Sequence, residues 1–346
     1  MEPSTAPVAG PVQGSNSTEP RGLMRAIVQD SYGSTDVLRP AEIAKPEIAA
    51  NEVLVKVVAA GMDRGTWHVM TGKPYLMRVM GFGFRRPKNR VPGLDVAGTV
   101  VAVGSEVTRF QPADEVFGMS RGSFAEYAAV LEDKLAHKPA SLTFEQAAVV
   151  PISGGTAIQA LRKVGAIEAG DEVLIIGASG GVGTYAVQLA KAFGAEVTAV
   201  CSASKLDLVR SIGADYAIDY TREDYLDGAK RYDFIFDIAG NNRLSRLRRG
   251  LTATGNLVII GGEGGGRVTG GFGRSIRALV RSMFVSQRLT MLVSKERHTD
   301  LEDLTPLLEN GRVTPVIDKT YSLAQVPEAM GHLESGQARG KIAISI

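Results

Sequence analysis

EVLIIGASGGVGTYAVQLAKAFGA, residues 172–195, is the stretch whose reading decides the fold. Glu172 to Ala178 is apolar on both faces, as a strand buried inside a parallel sheet must be. The spacing from Val182 to Phe193 predicts a helix. Between them lies Gly177-Ala178-Ser179-Gly180-Gly181-Val182-Gly183. In such a turn one glycine lets the backbone reverse sharply and another lets it come close to a ligand. The helix N-terminus then offers free N–H groups and the positive end of its dipole. The match is A-x-G-x-x-G, from Ala178 through Gly180 to Gly183, and it predicts a cradle for a dinucleotide pyrophosphate. The same letters also read G-x-S-x-G, the nucleophile elbow of a serine hydrolase, with Asp237 and His298 following in triad order. That elbow needs sheet strands before it, and this strand is the first of its sheet, so hydrolysis is the minor alternative.

Working outward, strands and helices alternate. EVTAVCS (196–202), a helix near 204–212, YAIDY (216–220), YDFIFDIA (232–239) and NLVIIGG (256–262) follow in turn. Both-face apolar strands separated by amphipathic helices indicate an α/β fold built on a doubly wound parallel sheet. Upstream, Thr143 and Gln146 form a capping box for a helix running toward Val150. Before that, MRAIVQ, EVLVKVVAAG, DVAGTVVAVG and FAEYAAVL are short Val-rich runs punctuated by Gly and Pro, the pattern of a β-rich unit. After Lys295 come a helix (299–310), VTPVIDKTYSL, a second helix (324–335) and the strand KIAISI. These are too small to fold alone and are expected to return and complete the first unit. The expected division is therefore a disordered tail at 1–22, a β-rich unit from 23–141 plus 299–346, and a nucleotide-binding unit at 142–298.

Composition narrows the classes. With 39 Lys and Arg against 37 Asp and Glu, the net charge of +2 is too balanced for a general nucleic-acid binder. A single Cys excludes a disulfide scaffold, a four-thiolate zinc site and an iron–sulfur cluster. The first 22 residues hold four Pro and three Gly with few large apolar side chains, so they cannot offset their ordering entropy. They lack the pattern of a secretory or transit signal. No run approaches the ~18 apolar residues of a spanning helix, and a cytoplasmic protein is expected.

The second strand of a dinucleotide fold usually ends near an acid that binds the ribose 2′-hydroxyl of NAD. Here Glu196–Cys201 is followed by Ser202-Ala203-Ser204-Lys205. A hydroxyl and an ammonium suit a 2′-phosphate, so Ser202 and Lys205 point to NADPH. The alternative is that Ser202 caps the next helix and Lys205 is a solvated surface charge.

The β-rich first unit, GASGGVGTYAVQLAKAFGA, VTAVCS, GADYAIDY and the terminal ARGKIAI together resemble the zinc-independent branch of the medium-chain dehydrogenase/reductase superfamily, the quinone oxidoreductase (zeta-crystallin-like) group. The resemblance covers about 24–346 and implies a GroES-like catalytic domain beside a Rossmann domain. It implies an NADPH-dependent, alcohol dehydrogenase-like reductase of quinones, enones or related carbonyls, usually a homodimer. In zinc-bearing relatives a Cys stands where this chain has Asp63, a His where it has Leu94, and a Cys where it has Ile152, four residues before Thr156. One carboxylate beside Leu and Ile cannot make a site that wants about four N, S or O ligands. No metal is therefore expected.

The resemblance also assigns cofactor contacts to Thr156, Ser179, Gly180, Gly181, Val182, Gly183, Tyr220 and Lys341. Gly240-Asn241 and Gly261-Gly262 lie at strand carboxyl ends, where open α/β sheets bind ligands. Without zinc, a hydrogen-bond donor must polarise the substrate oxygen. The candidates are Asp63 and Thr66 in the loop 63–68, and Tyr75. His68 beside Trp67 is read as structural, Cys201 as packing. GFGFRRPKNR (81–90) is expected to border the cleft mouth. Residues 243–288 carry nine Arg and one Glu. Arg274, Arg277 and Arg281 fall on one stripe there, read as a solvated helix face, with attraction to anionic lipid or RNA as the weaker reading. An NADPH-binding structural or regulatory protein with little turnover is the alternative from another class.

Overall fold

The computed structural model describes residues 22–163, 165–240, 242–261 and 266–346. Nearly all of the expected tail lies outside them. In the first unit β1 (Leu23–Val28) and β2 (Arg39–Ala44) form an antiparallel pair. Next come β3 (Glu52–Met62), α1 (Arg64–Thr71), the single turn α2 (Tyr75–Met77), β4 (Asp95–Val103), β5 (Glu115–Met119), β6 (Tyr127–Leu131) and β7 (Leu135–His137). The chain then crosses through α3 (Phe144–Ala148) and α4 (Pro151–Lys163) into β8 (Glu172–Ile176), α5 (Gly181–Ala192), β9 (Glu196–Cys201), α6 (Leu206–Ser211) and β10 (Tyr216–Asp219). It continues with β11 (Tyr232–Asp237), α7 (Leu244–Gly250), β12 (Leu251–Ile259), α8 (Phe272–Ser282) and β13 (Arg288–Met291). It closes with α9 (His298–Glu309), β14 (Ile317–Ser322), α10 (Val326–Glu334) and β15 (Lys341–Ser345).

Six parallel strands make one sheet in the order β10-β9-β8-β11-β12-β13. Numbered from β8, that order is 3-2-1-4-5-6, the doubly wound arrangement whose strand order reverses between β8 and β11. Alternation along each strand explains the two-faced apolar runs. Val173, Ile175, Val197, Phe234 and Phe236 enter one core with α4, α5 and α9. Leu174, Ile176, Val200, Ile235 and Leu257 enter the opposite core with Leu247 of α7 and Ala278 of α8.

The other large sheet runs β14-β15-β3-β4-β5-β7, with β6 also on β3. Its edge is supplied by the end of the chain: β15 lies antiparallel on β3, pairing Ile342 with Met62 and Ile344 with Ala60, and β14 lies parallel on β15. The helix α9 takes a different course from β14 and β15. It packs on α4, and its Leu301, Leu304 and Leu308 sit in the core beneath β8.

Local signals account for the boundaries. The capping box at Thr143 and Gln146 is formed, with reciprocal hydrogen bonds of 2.9 and 3.2 Å. The segment after Asp63, read as a loop, is helical: Asp63 caps it by accepting from the Thr66 N–H at 2.8 Å, and Gly72 ends it at φ +62°. At the centre of the core beneath β8, Leu304 has no solvent exposure. Leu304→Ala should lower the unfolding free energy by about 2–5 kcal/mol, measured as a shift in the urea midpoint at constant m-value.

Candidate functional site

The glycine turn after β8 is shaped by three different restraints. Gly177 sits at φ +87°, a conformation that favours glycine. A Cβ on Gly183 would lie 2.2 Å from the Gly177 carbonyl oxygen, so only glycine lets α5 seat against the turn. At Gly180, in contrast, a Cβ would meet only the Gly177 oxygen at 3.6 Å, leaving open space where a ligand can approach the backbone. A pyrophosphate needs this combination of a sharp turn, close seating and an open face in front of a helix N-terminus.

The open face belongs to a cleft of about 630 Å³. Ser179, Gly180 and Gly181 line it from the turn, and Ser202, Lys205 and Tyr220 line it from the ends of β9 and β10. Among the described residues, no carboxylate lines it. Lys205 donates to the Gly336 and Ala338 carbonyls at 2.8 and 2.7 Å, and burial lowers its pKa against the pull of Asp318. The opposite wall is Leu333, Gly336, Ala338 and Gly340, before β15. Gly340 bridges Gly180, and its N–H donates to the Ser179 carbonyl at 2.9 Å. Arg339 reinforces this wall by donating to the Ser204 carbonyl and pairing with Asp207 at 2.6 Å. Sequence reading found the Lys341 end of this wall and missed the rest. It also missed Tyr225 and Asn242, joined at 2.9 Å, which line the cleft together with Arg64 of the candidate segment 63–68.

Lys341, expected as a cofactor contact, is buried. Only 2% of it is exposed, and its ammonium donates to Asp95 Oδ2 at 2.9 Å and stands 3.8 Å from Asp63 Oδ2. Its stem runs beneath the turn, 2.9 Å from where a Gly181 Cβ would be. Asp95 also accepts the Ile152 N–H at 2.8 Å. Of the former ligand positions, Asp63 thus faces a lysine cation and Ile152 donates to that cation's partner. Among the described residues, no group of three His, Cys, Asp or Glu is placed to hold a metal ion. Burial pushes the Asp95 carboxyl up to about 7, against the pull of Lys341 and with the support of the Asp63 charge.

The proposed proton donors separate. Thr66 is fully buried and its hydroxyl is 3.3 Å from the Asp63 carboxylate that caps α1, so this pair secures a helix start instead of offering a proton to the cleft. Tyr75 is 40% exposed, beneath the Arg78 guanidinium at 4.7 Å. Thr156 contacts Ser294 at 3.3 Å, Val182 packs on the core, and His68 holds the Lys73 carbonyl at 2.7 Å. Cys201 is buried, which raises its thiol to about 11. Gly240 and Gly261 meet at the carboxyl ends of β11 and β12, where a Gly261 Cβ would strike the Ile238 carbonyl. Asn241 and Gly262 lie outside the described residues.

Arg274, expected on a solvated stripe, instead turns inward to Asp237 at 2.5 Å and donates to the Asn242 and Gly261 carbonyls. Asp237 is therefore taken by Arg274 and by the Gly240 N–H, and His298 lies against the Asp133 carbonyl. Neither is hydrogen-bonded to Ser179, which removes the triad a hydrolase would need. A second, more apolar cavity of about 300 Å³ lies among Val69, Phe82, Val91 and Leu94, with Lys88 and Arg121 at its border. The 81–90 segment forms one side of it.

Residues 49–140 match the alcohol dehydrogenase GroES-like domain, and residues 212–344 match a zinc-binding dehydrogenase domain. The chain is 35% identical over 339 residues to 2-methylene-furan-3-one reductase of Solanum lycopersicum, covering 93% of this chain and 79% of that one. It is 36% identical to the chloroplastic NADPH-dependent alkenal/one oxidoreductase of Arabidopsis thaliana, over 93% of this chain and 79% of the relative. The Escherichia coli quinone oxidoreductase solved with NADPH superposes with a TM-score of 0.80 at 27% identity, covering 93% of this chain and all of that one.

The buried carboxyl gives the site a pH signature. Asp95 holds its proton up to about 7 when folded and to its ordinary 3.8 when unfolded. Its protonated form therefore adds stability that is full below about pH 4 and is lost as pH rises through 7. Urea unfolding at pH 5, 6, 7 and 8 should show wild type losing stability relative to Asp95→Asn by on the order of 1 kcal/mol per unit up to about pH 7. Parallel pH curves for the two proteins would refute the assignment.

Proposed function

The chain belongs to the medium-chain dehydrogenase/reductase superfamily, among its quinone oxidoreductases and enone reductases, and on that premise we propose that it reduces quinones or α,β-unsaturated carbonyl compounds with NADPH and without a metal. It is an oxidoreductase of α/β architecture. The observation that carries the cofactor choice is at the ends of β9 and β10, where Ser202, Lys205 and Tyr220 line the cleft and, among the described residues, no carboxylate does. When bound, NADPH supplies a hydride from its nicotinamide, and the protein's work is to place and shield it.

The residues divide that work. Ser179, Gly180, Gly181 and the first turn of α5 are proposed to hold the pyrophosphate, with Val182 and Gly183 fixing the helix behind them. Lys205 has three N–H groups and gives two to Gly336 and Ala338, which leaves one for a 2′-phosphate beside Ser202 and Tyr220. Gly240 and Gly261 leave room at the strand ends, and Thr156 secures α4 beside them. The 300 Å³ apolar cavity beside Leu94 is proposed to take the substrate and exclude water. Tyr75 is the proposed hydroxyl donor to the substrate oxygen, while Asp63 and Thr66 hold the loop that leads to it. A homodimer in the cytoplasm completes the proposal. Among the described residues, no helix is long and apolar enough to cross a membrane.

Loss of NADPH absorbance across a panel of quinones and enones tests the activity; tight NADPH binding with no turnover of any member would favour a structural or regulatory role. Lys205→Ala should weaken NADPH binding about tenfold to a hundredfold more than NADH binding, the equivalent of one charge-assisted hydrogen bond, any NADH loss coming from the wall that Lys205 also fastens. Equal losses for both cofactors, measured by fluorescence titration, would refute the 2′-phosphate site.

A further inference from the structure

The cavity beside Leu94 has an interior and a mouth of different chemistry. Val69 of α1, Phe82, Val91, Pro92 and Leu94 make the interior, each buried or half-buried. Lys88 and Arg121 line the same cavity and are exposed, so they mark its opening. Glu296, half-buried after β13, is the one acid among the described lining residues. The Leu94 end is tied to the cofactor cleft through the next residue. That residue, Asp95, holds Lys341, whose stem runs beneath the glycine turn.

The backbone on both sides of the mouth is fixed. The Lys88 N–H donates to the Phe82 carbonyl at 2.8 Å, and the Tyr32 hydroxyl reaches the Phe82 and Gly83 carbonyls at 2.9 and 2.7 Å. Across from it, the Gly122 N–H donates to the Gly93 carbonyl at 2.9 Å, and Asn89 Nδ2 donates to the Arg121 carbonyl at 3.2 Å. Lys88 and Arg121 therefore rise from anchored chain on one rim. Neighbouring cations of this unit are neutralised: Arg90 pairs with Asp30 at 2.6 Å, Lys134 with Asp133 at 3.3 Å and Lys138 with Glu115 at 3.1 Å. Lys88 and Arg121 form no ion pair among the described residues. A neutral quinone or enone gains nothing from two open cations, whereas a carboxylated one gains charge-assisted hydrogen bonds. Two cations against the single Glu296 carboxylate leave one net positive charge, which matches a monoanion better than a doubly charged phosphate.

We propose that the substrate is an α,β-unsaturated ketone carrying one carboxylate, with its apolar part in the cavity and its carboxylate held at the mouth by Lys88 and Arg121. These two are specificity residues: they meet the far end of the substrate and leave the reacting atoms to other groups. Glu296 limits the charge that the mouth accepts. This substrate class rests on the reading of the chain as an NADPH-dependent reductase.

Steady-state kinetics of the full chain with β-benzoylacrylate and with its methyl ester test the proposal, read as the acid-to-ester ratio of kcat/KM. Lys88→Gln/Arg121→Gln should lower that ratio about tenfold, mainly through KM for the acid. The charge-conserving Lys88→Arg/Arg121→Lys should retain the wild-type ratio, and Glu296→Gln should raise it by about twofold or more. In the wild type the ratio should fall as salt rises. A ratio that Lys88→Gln/Arg121→Gln leaves unmoved would overturn the anionic substrate class while leaving the reductase reading intact. If neither compound is reduced, the reductase reading fails, and calorimetry with the saturated β-benzoylpropionate decides the mouth separately. Binding to the NADP⁺-loaded chain that the double Gln variant weakens about tenfold supports it; absent or unmoved binding overturns it.

Discussion

One buried cation ties the molecule together. Lys341 and Asp95 are almost wholly removed from water, and a buried charge without its partner costs several kcal/mol. Their pairing therefore has to be made, and making it fixes five pieces of chain at one point. β15 supplies the lysine, β4 the aspartate, and α4 begins at the Ile152 N–H held by the same carboxyl. The α1 cap Asp63 stands across from them, and the glycine turn rests on the lysine stem. The joint between the two sheets is thus an electrostatic one, and the cleft inherits its geometry. Burial first, and then the facing Asp63 charge, raise the Asp95 carboxyl against the pull of Lys341.

The cleft follows from that joint and from the reversal of strand order between β8 and β11. The turn after β8 opens toward the wall formed by residues 336–340, which would be an unrestrained loop without its anchors. Lys205, Arg339 and the Gly340–Gly180 bridge hold it against β9 and the turn. A cation that faces the ligand space thereby also fastens the wall of that space. On the proposed reading, affinity for a phosphate and closure of the cleft are linked through the same side chain.

How much of this was readable in the sequence depended on how local the signal was. The doubly wound sheet was legible from β8 and α5 alone, because a two-faced apolar run, three glycine constraints and a helical period coincide within 24 residues. The helix α4 was not read from the sequence, and Pro151-Ile-Ser-Gly-Gly is a weak helix opening by propensity alone. Proline is at home in a first helical turn, and Gly154 is small where Leu304 and Val150 crowd it, so packing overrides propensity. The burial of Lys341 could not be seen, since its partner Asp95 is 246 positions away. On α8 the stripe was right for Arg277 and Arg281, which are exposed, and wrong for Arg274, because the sheet beneath decides which side chains turn inward. The inward pull of Asp237 on Arg274 settled that, and no local pattern reports it.

The dependence of β3 on β15 has a consequence for how the protein is made. Translation delivers β3 early and the strand that covers its edge last, after the whole nucleotide-binding sheet has emerged. Until then the first sheet has an open edge and Asp95 has no cation. On the ribosome the nucleotide-binding unit can assemble from its own contiguous segment, while the earlier-made unit must wait. Order of completion thus runs opposite to order of synthesis, and loss of the last six residues would leave the first unit, not the last, without its closing strand.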